Sequence, residues 1–166
     1  MLLRTSSALF VSALFAIGAS AQTNNFRTPT QSSSSPDVLL SNWQADHGGS
    51  WQTATNRLTG TLEMLYGGNA AAPFEPNTSE PSDWFALGRY WIQQTQGMHL
   101  VDGAELVEER FRYLPLGQAN TNDKITVRFN QEVGGVPVES GAINVLFDTA
   151  GALPAIHTTA APEVDS

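Results

Sequence analysis

The sequence predicts an α+β domain in which one helix packs on a curled antiparallel β-meander. Three observations predict it. Residues 82–96 (SDWFALGRYWIQQTQ) repeat apolar side chains at helical spacing, the chain after residue 104 switches to a period of two, and glycine or proline marks the junctions. A length of 166 residues with 41% hydrophobic residues allows one ordinary domain with tails. The formal net charge is −8, from 8 basic and 16 acidic residues, and Lys124 is the only lysine. That balance repels phosphate backbones and anionic lipid heads, which makes nucleic acid and membrane surfaces poor partners. Without cysteine there is no disulfide frame, thiolate metal site or cysteine nucleophile.

Residues 1–21 read as a secretory signal peptide. Arg4 gives a positive start, an apolar stretch follows, and Ala19-Ser20-Ala21 supplies the small-residue cleavage pattern. The apolar run is too short for a stable span, which takes about 20 residues. The expected product is secreted or, in a Gram-negative host, periplasmic. Residues 22–42 are polar, include a serine run, and are expected to form a disordered leader. The domain is placed at 43–162, with 163–166 as a tail.

Within the domain, Leu58 and residues 61–66 suggest one or two strands, ended by Gly67-Gly68. Pro73, Pro76 and Pro81 exclude a regular element through residues 69–82. In the helix that follows, Ser82 is the expected N-cap, Asp83 favours the first turn, and Gly97 is the expected left-handed stop. Trp84, Gly88, Trp91, Ile92 and Thr95 form its apolar stripe, expected to pack on a sheet in preference to forming a ligand platform. Strands follow at 105–113, 124–130, 142–148 and 152–158. Simple alternation puts Val107, Phe111 and Tyr113 on one face of the first and Glu108, Arg110 and Arg112 on the other. Pro137 and Pro154 belong at an edge, a strand start or a bulge, because neither can donate to a ladder.

Catalytic chemistry is sparse. His47, His99 and His157 show no metal-ligand spacing on a helix, and H-E-x-x-H and G-x-S-x-G are both missing from the sequence. His99, Asp102 and Glu105 cluster loosely, a pattern that usually marks a solvated loop. Glu108 and Glu109 are expected on opposite faces of a strand, where they cannot share a substrate. No catalytic set, cofactor or metal is expected, and recognition of another macromolecule remains.

Residues 125–153 (ITVRFNQEVGGVPVESGAINVLFDTAGAL) carry an ordered series: Val127, Arg128, Phe129, Gln131, Gly135, Val136, Pro137, Val138, Gly141, Val145, Asp148 and Gly151. This series closely resembles the motif of the fungalysin/thermolysin propeptide, the pro-domain of secreted zinc metalloproteases. Trp51, Arg57, Leu58 and Gly60 resemble the family's early strand, and the likeness covers about residues 43–162. It implies a cystatin- or PepSY-like fold. It also implies a domain that assists folding of a thermolysin- or fungalysin-type catalytic domain and inhibits it by covering its cleft. The partner would act in cis within a longer precursor, of which this chain is the front, or in trans against a free-standing domain.

The residues also have a reading of their own. Gln131 beside Gly134-Gly135 is expected to hydrogen-bond turn backbone, and Asp148 before Gly151 to accept turn amides. Gly134, Gly135, Val136, Pro137, Val138, Asp148 and Gly151 are then structural. Arg110, Arg112 and Arg128 either line up as a positive, partner-binding stripe or pair across strands with Glu108 or Glu132. A stand-alone module binding a peptide edge-on, or a glycan through exposed Trp43 or Trp51, is the competing expectation.

Overall fold

A computed structural model describes residues 35–162. The signal segment 1–21, the leader as far as residue 34 and the tail 163–166 lie outside the described residues. The elements run α1 (Pro36–His47), β1 (Gln52–Thr55), β2 (Leu62–Ala70), α2 (Pro81–Gln94), α3 (Gln96–His99), β3 (Leu106–Leu114), β4 (Lys124–Val133), β5 (Val136–Asp148) and β6 (Leu153–Thr158). Short 3-10 turns precede β3 and β4. The fold is α+β: six strands form one antiparallel sheet in the order β1-β2-β6-β5-β4-β3. β3 to β6 are the expected meander. The β1–β2 hairpin adds to it through β2 and β6, so the chain crosses the sheet through α2 to start β3 at the far edge.

The pairing makes each face legible. Thr53, Leu65, Ile156, Val145, Val127 and Phe111 stand opposite one another in a single row across all six strands. Directly opposed residues share a face, and this row, with Phe129, Ile143 and Phe147, lies on the face the helices cover, α2 over β3 and β4 and α1 with α3 over β2. Trp84 meets Phe147 at 5.5 Å and Phe85 meets Phe129 edge-on at 5.6 Å. Gly88 lets the helix approach this closely, because a Cβ there would lie 2.8 Å from Val127 Cγ2 and 2.9 Å from Phe129 Cε2.

The order begins earlier than the sequence indicated. Helix α1 occupies Pro36–His47, where residues up to 42 were expected in the leader, because Pro36 suits a first turn and Trp43 has a core to enter. Trp43 packs edge-on against Trp51 (5.5 Å) and Trp91 (5.7 Å), and its ring lies 4.0 Å from that of His47. Trp43 and Trp51 are 4% and 2% exposed, which removes both as a surface platform for glycans. The Nε1 donors of Trp43, Trp51 and Trp91 have no hydrogen-bond acceptor among the described residues.

Other boundaries move for physical reasons. Glu80 takes the N-cap position of α2 and Pro81 its first turn, while Ser82 makes no capping bond. Asp83 instead accepts from the Asn77 amide at 3.1 Å. Buried Thr95 turns its hydroxyl back onto the Trp91 and Ile92 carbonyls, at the break between α2 and α3. Gly97 lies inside α3, and Leu100 (φ 56°) takes the left-handed stop. Leu58 sits in the β1–β2 turn, 96% exposed. Gly67 does not end β2: with φ 94° it lies where the pairing with β6 shifts, and the strand continues to Ala70. Pro154, at the start of β6, falls opposite that irregularity.

Candidate functional site

The β3–β4 side of the sheet gathers the residues singled out for binding. The strand β3 breaks simple alternation, because Glu108 opposes Phe129 while Arg110 opposes Arg128, which leaves Glu109 as a bulged extra residue. The bulge corrects the expected faces. Glu108 turns to the helix side, where Arg89 Nε donates to it at 3.1 Å. Arg89 also donates to the Leu106 carbonyl at 3.2 Å, and its guanidinium lies 5.1 Å from the centre of the Phe129 ring. Val107 opposes Asn130 on the other face, away from Phe111 and Tyr113. Glu108 and Glu109 do diverge, one toward α2 and one toward the outer face.

Two cross-strand rows span all six strands on the outer face. One runs Ala54, Met64, His157, Asn144, Arg128, Arg110, and the other Gln52, Tyr66, Ala155, Leu146, Thr126, Arg112. The three arginines therefore do come together, at the β3 end of both rows. Their ion pairing is not with Glu108 or Glu132. Arg128 pairs with Glu109, Arg110 Nη2 donates to the same carboxylate at 3.2 Å, and Arg128 Nε also donates to Asn130 Oδ1 at 3.2 Å. Arg112 makes no ion pair among the described residues. Two guanidinium groups thus share one carboxylate and Arg112 stands beside them, so among the described residues the outer face here carries about two uncompensated positive charges on an acidic chain.

At the far end of β3, the Tyr113 hydroxyl donates to Asp123. Asp123 also accepts the Leu116 amide at 2.7 Å and the Gly117 amide at 3.1 Å. The hydroxyl, then the Leu116 amide, hold this carboxyl below the usual carboxylate range.

The motif residues are structural, with one change of role. Gly134 (φ 59°) and Gly135 (φ 80°) form the two-residue turn between β4 and β5, in which both positions need positive φ. Val136 opposes Val133 beside that turn, and both are exposed. Pro137 opposes Glu132 near the start of β5, and Val138 enters the wide bulge that runs to Gly141, with Ser140 at φ 61°. Asp148 Oδ1 accepts the Ala150 and Ala152 amides at 3.0 and 2.9 Å, and Gly151 (φ 87°) completes the turn to β6.

Gln131 does not bond its neighbouring turn. Its position opposite Leu106, on the face α2 covers, directs it away from Gly134-Gly135. Its Nε2 donates to Glu105 Oε2 and to the Ala161 carbonyl, both at 3.0 Å, and its Oε1 accepts the Ala161 amide at 2.9 Å. This 2%-exposed amide thereby ties the segment after β6 to the entry of β3. A Cβ on Gly141 would sit 3.1 Å from Gln131 Oε1, so the glycine keeps room for the clamp.

His99, Asp102 and Glu105 do not converge. The His99 Nε2 lies 3.0 Å from the Ile92 carbonyl and its Nδ1 3.1 Å from the Val101 amide. A carbonyl only accepts and an amide only donates, so the ring is neutral with its proton on Nε2. Burial pushes its pKa down to about 4 against the raising effect of the Ile92 bond. Asp102 accepts from Ala104 and Glu105 from Gln131. Among the described residues no group of three His, Asp or Glu side chains could hold a metal ion. A cleft of about 280 Å³, lined among others by Arg89, Gln93, Val101 and Leu106, lies beside the start of β3.

No model of a known protein family matches the chain, and neither does a curated protein or a solved structure.

Proposed function

We propose that this chain is a non-catalytic, exported domain that binds a thermolysin- or fungalysin-type zinc metalloprotease catalytic domain, restrains it and assists its folding. Its helix-on-sheet arrangement is read here as cystatin- or PepSY-like. The observation that carries the proposal is a coincidence of place. The residues of the propeptide-like series fall on β4, on β5 and on the turns that follow each, as one contiguous hairpin unit, and the outer face of β4 and of its neighbour β3 bears Arg128, Arg110 and Arg112. A cationic face on an acidic domain suits an acidic surface beside a protease cleft. Tethering in a precursor would raise the effective concentration of such a contact to roughly the millimolar range, while action in trans would need tighter intrinsic binding.

The test is a titration of the purified chain against a thermolysin-type protease, with peptide hydrolysis and size exclusion as paired readouts. The expected result is loss of activity as chain is added, with a one-to-one complex eluting ahead of either protein. Unchanged hydrolysis together with separate elution overturns the proposal.

A further inference from the structure

We infer that the free edge of β3 is a docking site for an extended peptide segment in which acidic and apolar residues alternate, added to the sheet as a seventh strand. The inference does not depend on the partner being a protease.

Three observations support it. First, β3 is the terminal strand of the sheet over nine residues, and among the described residues no strand pairs with its outer side. Such an edge presents a row of unpaired N–H and C=O groups, the template on which strand addition works. Second, basic residues gather on this side. Of the chain's eight Lys and Arg residues, Arg89, Arg110, Arg112, Lys124 and Arg128 all lie on or beside β3 and β4, while the acidic Glu108 and Glu109 of β3 are already engaged by Arg89, Arg110 and Arg128, which leaves Arg112 without an ion pair among the described residues. Third, the side chains alternate in kind along the strand after the bulge. Arg110 and Arg112 point to the outer face, whereas Phe111 and Tyr113 point to the helix side, opposite Val127 and Ile125. A residue added opposite each of these shares its face, so the complementary strand reads acidic, apolar, acidic, apolar.

Other occupants fit less well. A second copy paired through β3 would set arginines against arginines around Arg110 and Arg112, and like charges directly opposed are destabilising. The chain's own residues 1–34 contain no Asp or Glu, so they lack the complementary charge. The bulge at Glu109 and the charged side chains discourage indiscriminate edge pairing. Selectivity for an acidic strand is what those same features leave open.

The experiment uses the full chain and a fluorescent, end-blocked ten-residue peptide of alternating glutamate and valine, read by anisotropy at low salt. Two comparison peptides separate the contributions: one of the same composition with the glutamates in a block, and one N-methylated at alternate residues. The alternating peptide is expected to bind with a Kd in the micromolar range, and both comparison peptides at least tenfold more weakly. Arg112→Glu, on an exposed side chain, is expected to weaken binding at least tenfold, while Arg57→Glu in the distant β1–β2 turn leaves it unchanged. Equal binding of the N-methylated peptide, no effect of Arg112→Glu, or no binding at millimolar peptide would each overturn the inference. So would equal binding of a DNA oligonucleotide or of vesicles rich in anionic lipid, which would reduce the site to a nonspecific positive patch.

Discussion

Replacing Gly68 with alanine is expected to cost about 3 kcal/mol of folding stability, because the added methyl group has nowhere to go. A Cβ at this position would stand 2.0 Å from Trp51 Cε2 and 2.4 Å from its Cδ2 and Nε1. The indole cannot simply recede. It meets Trp43 edge-on, Trp43 meets Trp91, and the Trp51 carbonyl accepts from Gln44 of α1 at 2.9 Å. Moving Trp51 therefore displaces α1 and the C-terminal part of α2 together. Gly97→Ala is the matched control, since nothing lies within 4 Å of its Cβ position and it sits in helix α3, where alanine is favoured. Urea unfolding of both variants checks the contrast. Equal midpoints for the two would show that Trp51 does not lie against Gly68.

Acid is expected to remove about 3 kcal/mol of stability through His99 alone. The folded chain holds this ring near a pKa of about 4, against 6.5 for the unperturbed side chain. The unfolded state therefore takes up a proton that the folded state refuses. Above about pH 6.5 neither form is protonated and stability is untouched. Between 6.5 and 4 the unfolded state gains, so stability falls as the pH drops and levels off once both forms are charged. The geometry states the same cost directly, for a proton on Nδ1 would face the Val101 amide that now donates to it. Denaturation at stepped pH, with His99→Gln for comparison, is expected to show a flatter decline for the variant across that window. A proton titration of the His99 ring by NMR gives an independent reading even if the variant folds poorly, and an inflection near 6.5 would contradict the buried neutral ring.

How much was legible in the sequence depended on whether the determining signal was local. The strand cores at 124–130 and 142–148 were legible because apolar residues alternate cleanly there, whereas their extensions to Val133 and back to Val136 rest on the pairing across the Gly134-Gly135 turn. The turn at Asp148 was legible because donor and acceptor lie within four residues. The faces of β3 were not. Nothing in LVEERFRYL announces that Glu109 is bulged, and one inserted residue moves Val107 and Glu108 to the faces opposite those that counting gives. Gln131 shows the same limit at longer range, because its partners Glu105 and Ala161 are 26 and 30 residues away. Helix α1 is weakly patterned and owes its place to Trp43 finding Trp51 close by and Trp91 far along the chain, a contact that no local pattern announces. The register places the three arginines side by side, but the carboxylate that Arg110 and Arg128 share, Glu109, follows only from the bulge.

The proposed contact for a metalloprotease catalytic domain is the outer face of β3 and β4, with its arginines. Amide hydrogen exchange of the chain, alone and mixed with a thermolysin-type catalytic domain, tests it most directly. The expected result is slowed exchange confined to Leu106–Leu114 and the adjoining part of β4, with α1 and α2 unchanged. Protection falling on α1 and α2 instead, or no change in any segment at saturating protease, would contradict it.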